Sequence, residues 1–228
     1  MMIHAPMIAE SRGGMLTAIA VGIATFLVIP KTKETTAYLV IALFVALSLA
    51  GPPVVERFRT TFAPPEERDG SAQSRLDLWK VCITEMLRHP ITGVGPAHFP
   101  LIADEYGFPE GKASHTTWLN AGAELGIGGM VCLIGFFAYT GWHCLRIAYD
   151  KRWRKTEIGH LAAMVFTFLV GYAVGAQFVT LDRLEAPFFI TLIGTGLLRV
   201  TDQMRHAVPM QDPSDPAISA TPALSKAA

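Results

Sequence analysis

The stretch SHTTWLNAGAELGIGGMVCLIGFFAY, residues 114–139, sets the fold class. It opens on hydroxyl side chains suited to capping a helix, Ser114, Thr116 and Thr117, with His115 among them. From Leu125 to Trp142 the chain then carries no charge for 18 residues. Such a run makes about 27 Å of α-helix, close to the ~30 Å hydrocarbon core of a bilayer. A polar helix mouth that runs straight into an apolar span reads as a membrane helix entered from water, with the histidine at the boundary.

Four more charge-free runs flank it. Residues 13–30, 35–55 and 161–181 are 18 to 21 residues long, while 186–198 has only 13. The last crosses a bilayer only if the membrane thins or Arg199 snorkels to the interface. With 51% hydrophobic residues and a mean hydropathy of +0.36, the chain is too apolar for an ordinary soluble domain. The expected architecture is an all-α integral membrane protein with about five transmembrane helices. Its segments are an N-terminal piece 1–14, two transmembrane helices in 15–50, a polar loop 51–117, three transmembrane helices in 118–200, and a disordered, proline-containing tail 201–228.

Charge orients this arrangement. Lys31 and Lys33 separate the first two runs, and Arg146, Lys151, Arg152, Arg154 and Lys155 follow the third. Short basic connections stay in the cytoplasm. Residues 1–14 and the loop 51–117 are then extracytoplasmic and the tail cytoplasmic. Residues 1–14 show no basic region followed by an apolar one, so no cleaved signal peptide is expected. Lys plus Arg and Asp plus Glu both number 19, which removes any bulk attraction to nucleic acid. Cys82, Cys132 and Cys144 do not suggest a disulfide framework and read as small apolar filler.

The polar loop holds the chemistry. Ser74-Arg75-Leu76-Asp77 fits a capping box, with Ser74 as N-cap and Asp77 in the first turn of an amphipathic helix over 74–89. Leu76, Trp79, Cys82, Ile83, Met86 and Leu87 make its apolar stripe; Asp77, Lys80, Thr84 and Glu85 fall on the polar side. Arg75 precedes Trp79 by four residues and Cys82 by seven, so it shares the apolar face. It either snorkels along apolar surface toward a carboxylate or headgroup, or points into a cavity where its planar fork grips phosphate. The turn ITGVGP, residues 91–96, reads more simply as a tight bend than as a phosphate cradle.

His115 lies near a helix N-terminus, where the macrodipole disfavours the imidazolium. A neutral imidazole there can accept a proton. On position alone a capping or interfacial histidine is the simpler reading. Glu124, nine residues further on, faces away from it. Gly122, Gly126 and Gly129 give small-residue spacing for close helix packing. Arg12, in Ser11-Arg12-Gly13-Gly14, is either an interfacial anchor or a second cation reaching the same outward cavity. The loop offers no HExxH, no CxxC pair and no DxD-like acidic cluster, so no metal ligands are assigned and no cofactor is expected.

In order, SRGG before a span, RLDLW on the loop helix, PITGVGPAHF after it, SHTTWLNAGAELGIGG running into the next span, and GTGLLR near the end resemble the O-antigen ligase and O-antigen polymerase superfamily. The likeness covers roughly residues 10–200. It implies a membrane-embedded, metal-independent glycosyltransferase with a largely helical C-class fold in the bacterial cytoplasmic membrane, its active face extracytoplasmic. Such enzymes move a glycan from undecaprenyl diphosphate to an acceptor hydroxyl. By resemblance His115 is the general base, and Arg75 and Arg12 bind the diphosphate. Implied partners are the lipid-linked donor, a saccharide or lipid-linked acceptor and the bilayer. Family members carry further spans before the SRG element, so a separate N-terminal membrane half is a further expected partner. Many members also have asparagine where this chain has Thr116.

The leading expectation is a ligase-type glycosyltransferase. The alternatives are a repeat-unit polymerase of O-antigen or exopolysaccharide, or a truncated non-catalytic subunit of a polysaccharide export system.

Overall fold

A computed structural model describes residues 12–49, 70–109, 111–181 and 184–207, and all of its regular structure there is helical. The helices are α1 (Arg12–Val28), α2 (Lys33–Leu49), α3 (Gly70–Arg88), the short α4 (Phe99–Ile102), α5 (Thr117–Tyr149), α6 (Glu157–Gly175) and α7 (Ala186–Ala207). A 3₁₀ turn, Ala103–Tyr106, follows α4. The expectations for most of residues 1–14, for 51–69 and for 208–228 lie outside the described residues.

The apolar core joins α1, α5, α6 and α7. Phe137, Ile147, Val165, Leu169 and Leu197 are buried together, and Trp118 meets Phe137 and Tyr172 edge-on at 6.2 and 5.7 Å. Helix α1 lies against α6 through small residues: a methyl group at Gly171 would sit 2.6 Å from the Val21 side chain. The opposite faces are apolar and uncovered, as at Ile23 and Phe26 on α1, Val131 and Trp142 on α5, and Phe189 and Leu192 on α7. A solvated protein does not normally leave so continuous an apolar surface open. By length and composition α5 and α6 can each cross a membrane, and α1 is a shorter apolar helix.

The two ends of this bundle differ chemically. At one end the start of α1 meets the connection from α6 to α7, where a methyl at Gly13 would fall 2.7 Å from Phe178 Cβ. At the other, the Tyr149 hydroxyl donates to the Leu27 carbonyl (2.8 Å) and Arg205 pairs with Asp150 (2.9 Å). Lys151, Arg152, Arg154 and Lys155 lie at this second end, in the turn between α5 and α6. Thr156 closes that turn, its hydroxyl accepting from the Gly159 amide at 3.4 Å as the N-cap of α6.

Three expectations are corrected. The loop helix begins at Gly70, not Ser74, so Ser74 is interior and cannot cap it. Asp77 instead accepts from Gln73 (3.2 Å) and Lys80 (2.8 Å), neighbours one turn away that hold its carboxyl below the usual range, Lys80 contributing most. Glu85 is not on a solvated side: it is 4% exposed, while Ile83 and Leu87 of the expected stripe are exposed. The buried face is Leu78, Val81, Cys82 and Glu85, packed with Phe99 and Ala123. Finally, α7 runs on to Ala207, so residues 201–207 are helical where a disordered tail was expected. Thr201 is buried and Arg205 is tied to Asp150, which keeps the helix going after its apolar run ends.

Candidate functional site

His115 stands on the residue pair that launches α5. Thr116 is the N-cap, in extended conformation, and His115 before it has φ +55°. A side chain in the left-handed region is strained, histidine less than most. The backbone is held there from below. The Ser114 hydroxyl, fully buried, lies within hydrogen-bond distance of the Thr116 carbonyl (3.1 Å) and Asn120 Oδ1 (3.0 Å), and its single proton is shared between these two acceptors. Thr117 stitches the same turn to the α6–α7 connection. Its amide donates to the Ala176 carbonyl (2.8 Å), its hydroxyl donates to Val179 (3.1 Å), and that hydroxyl accepts from the Leu181 amide (2.8 Å). Trp118 adds an indole hydrogen bond to the Ala173 carbonyl at 3.0 Å. The imidazole thus projects from an anchored turn whose polar groups face inward. The exception is the Thr116 hydroxyl, buried with no hydrogen-bond partner among the described residues.

Helix α3 delivers the first cation. Arg75, Leu78 and Cys82 occupy one face, and that face packs on α5, with Leu78 and Cys82 fully buried. Burial pushes the Cys82 thiol up to about 12, which makes it packing rather than a nucleophile. One and two turns earlier on the same face, Arg75 comes close enough for its guanidinium to act on the imidazole. Lys112, three residues before His115, supplies the second cation. Half-burial, then Arg75, then Lys112 hold the His115 pKa below its usual 6.5. The helix dipole acts in the same direction. A neutral imidazole flanked by two cations can accept a proton while the cations attract an anion.

Arg12 opens α1, and its side chain lies outside the described residues. Its neighbour Gly13 abuts Phe178, in the segment to which Thr117 is stitched. The backbone at the start of α1 and the start of α5 therefore reach one end of the bundle, with Arg75 beside His115 there.

Of the glycines singled out, those at 93 and 95 make the tight bend expected of them, whereas Gly126 has a different use from the one expected. Gly126 has φ +74° and breaks α5, so it is not a small residue in a continuous helix. The Pro90–Gly95 turn fills the break: the Val94 and Gly95 amides donate to Ala123 (2.9 Å) and Glu124 (3.0 Å), and the Ile127 amide donates to Pro90 (2.8 Å). A methyl on Gly93 would fall 2.2 Å from the Glu124 carbonyl carbon, and one on Gly126 2.6 Å from the Pro90 oxygen. The turn is a tight bend, and its amides go to α5 rather than to a phosphate. Gly122 does serve close packing, against Met86 of α3. Glu124 is engaged away from His115, as its spacing requires, accepting from the Ala97 and Phe99 amides at 3.0 and 3.3 Å.

Sequence reasoning passed over Lys112 and Asn120 and took Ser114 and Thr117 only as helix caps. Lys112 was detectable, being three residues from the histidine in a short turn. The stitching by Thr117 was not, since its partners Ala176, Val179 and Leu181 lie far off in sequence, the last two 62 and 64 residues away.

The architecture and this end of the bundle define an all-helical protein with membrane-competent spans and a cation-flanked histidine at the mouth of one of them. Residues 1–134 match the O-antigen ligase family, and the chain belongs to it. That family consists of glycosyltransferase-like membrane enzymes of polysaccharide biosynthesis. No curated protein and no solved structure matches the chain.

Proposed function

We propose that the protein is a ligase-type glycosyltransferase that moves a glycan from undecaprenyl diphosphate to an acceptor hydroxyl. The observation that carries this is the pairing of Arg75 and Lys112 with a half-buried His115 whose pKa is depressed. The imidazole takes the proton from the acceptor hydroxyl as that oxygen attacks the anomeric carbon. Arg75, with Arg12 from α1, binds the diphosphate and stabilises the charge that grows on it as the glycosidic bond breaks. Fixed guanidinium groups beside a developing phosphate charge supply the electrostatic stabilisation a metal provides elsewhere. No metal is required by this scheme.

The membrane reading that goes with it has five spans, α1, α2, α5, α6 and α7, in a C-class arrangement in the bacterial inner membrane. The lysine- and arginine-rich turn between α5 and α6 is cytoplasmic, and His115, at the other end of the bundle, faces outward. The loop of residues 51–117 is extracytoplasmic.

His115→Asn tests the reaction. Asparagine tolerates the left-handed backbone but cannot act as a base, so transfer from a lipid-linked donor should fall by roughly 10²–10⁴-fold with the protein still folded. Undiminished transfer would remove His115 from the chemistry. Supplying lipid A core in one assay and a second lipid-linked repeat in another separates ligase from polymerase, since both reactions use the same donor side.

A further inference from the structure

The break in α5 divides it into a short half, Thr117–Leu125, which the turn carrying His115 leads into, and the long apolar half beyond Gly126. Such a break leaves backbone groups without partners, which is costly at a membrane face. Here they are taken up by a segment from another part of the chain, Pro90–Phe99, which follows directly on the helix carrying Arg75. Two features hold that segment in place. Gly93 and Gly126 each approach the other strand so closely that no side chain fits. The second feature is Glu124, 7% exposed, whose two carboxylate oxygens each accept a backbone amide, from Ala97 and Phe99. Ala97 itself has φ +58°, a conformation alanine does not favour, so its placement is imposed by such contacts. A buried carboxylate committed to two amides of a neighbouring loop is a bracket.

Resting on the reading of His115 as the base, we propose that Glu124 is a positioning residue for the transfer reaction. Its carboxylate locks the Pro90–Phe99 segment into the break of α5, and so fixes the half-helix that His115 leads into relative to α3 carrying Arg75. Glu124 does not touch substrate. Of the charged groups acting on the imidazole, Arg75 comes from α3 and Lys112 from the loop before α5.

Glu124→Gln keeps the shape and removes the charge and one strong acceptor. Loosening by about 1 Å should cost on the order of 100-fold in kcat, with a smaller change in KM for the lipid-linked donor. The decisive readout is the His115 titration, followed by NMR in the detergent-solubilised full chain and assigned by its absence in His115→Asn. With Arg75 displaced, the His115 midpoint should move up toward that of an ordinary histidine, as it should in Arg75→Gln, and Glu124→Gln/Arg75→Gln should shift it no further. A change confined to the yield of folded protein would leave the midpoint where it is. Glu124→Asp, which keeps the charge but is one methylene shorter, should give an intermediate shift and decides the matter if Glu124→Gln does not fold. An unmoved midpoint in either folded variant overturns the proposal. Because the titration needs no turnover, a moved midpoint together with an active His115→Asn enzyme would reject the general-base reading while keeping the bracket.

Discussion

At the scale of single residues the site is a balance between one imidazole and the cations around it. The His115 pKa is lowered by burial, Arg75 and Lys112, so the neutral, proton-accepting form persists to more acid pH than for a free histidine. If His115 is the proposed base, the acid limb of kcat/KM should lie below the usual value of 6.5. Arg75→Gln removes one cause of the depression, so the pKa should rise and the acid limb move up in pH, alongside a loss of rate from the proposed diphosphate contact. Arg75→Lys keeps the charge and loses the fork, so its limb should stay nearly in place while KM for the donor rises. A pH–rate profile of the three proteins checks both signs. A second residue-scale lesson is Glu85. Its place in the helix period put it on the polar side, yet it is buried because the Tyr106 hydroxyl and Arg88 meet it there, 21 and 3 residues away in sequence. Glu85 in turn holds the Tyr106 phenol protonated above its usual range.

At the scale of elements, α5 is two helices that share a name. Its break at Gly126 and the turn that fills it explain why the ITGVG and AELGIG stretches belong together. Gly126→Ala puts a methyl 2.6 Å from the Pro90 oxygen at φ +74°. It should cost roughly 1–3 kcal/mol for the backbone conformation alone, with a further loss as the turn is pushed out. Thermal unfolding in detergent should show a lower Tm than the wild type, whereas Gly128→Ala, where an added methyl meets nothing within 4 Å, should change it little. Helix α3 teaches the same point from its start. Ser74 and Asp77 have capping chemistry, but the helix already exists by then because Gly70–Gln73 continue it and its far face has α5 to pack on. Local chemistry offers several starting points for a helix, and burial chooses among them.

At the scale of the whole molecule, the proposed topology predicts which end meets which compartment. With the native cysteines replaced, Lys112→Cys should react with a membrane-impermeant thiol reagent in intact cells, and Arg152→Cys only after the inner membrane is opened. The opposite pattern would put His115 in the cytoplasm and exclude an outward-facing donor site. The placement of the basic turn at the end remote from His115 is a property of the packed bundle, since α1, α5 and α7 run in one direction and α6 in the other. The uncovered apolar faces of α1, α5 and α7 on this bundle suit lipid or further helices.

The sequence by itself determined the helical, membrane-competent class, the apolar runs, the family, and the choice of His115, Arg75 and Arg12 as candidates. Those properties are periodic or local, and hydropathy and short motifs record them directly. Only the tertiary structure decided that Arg75 bears on His115, that Glu85 and Glu124 are buried, that Gly126 breaks its helix, and that α7 continues past its apolar run. Each of these depends on a partner brought in from elsewhere in the chain, and the free energy of such a contact is not written in either residue alone.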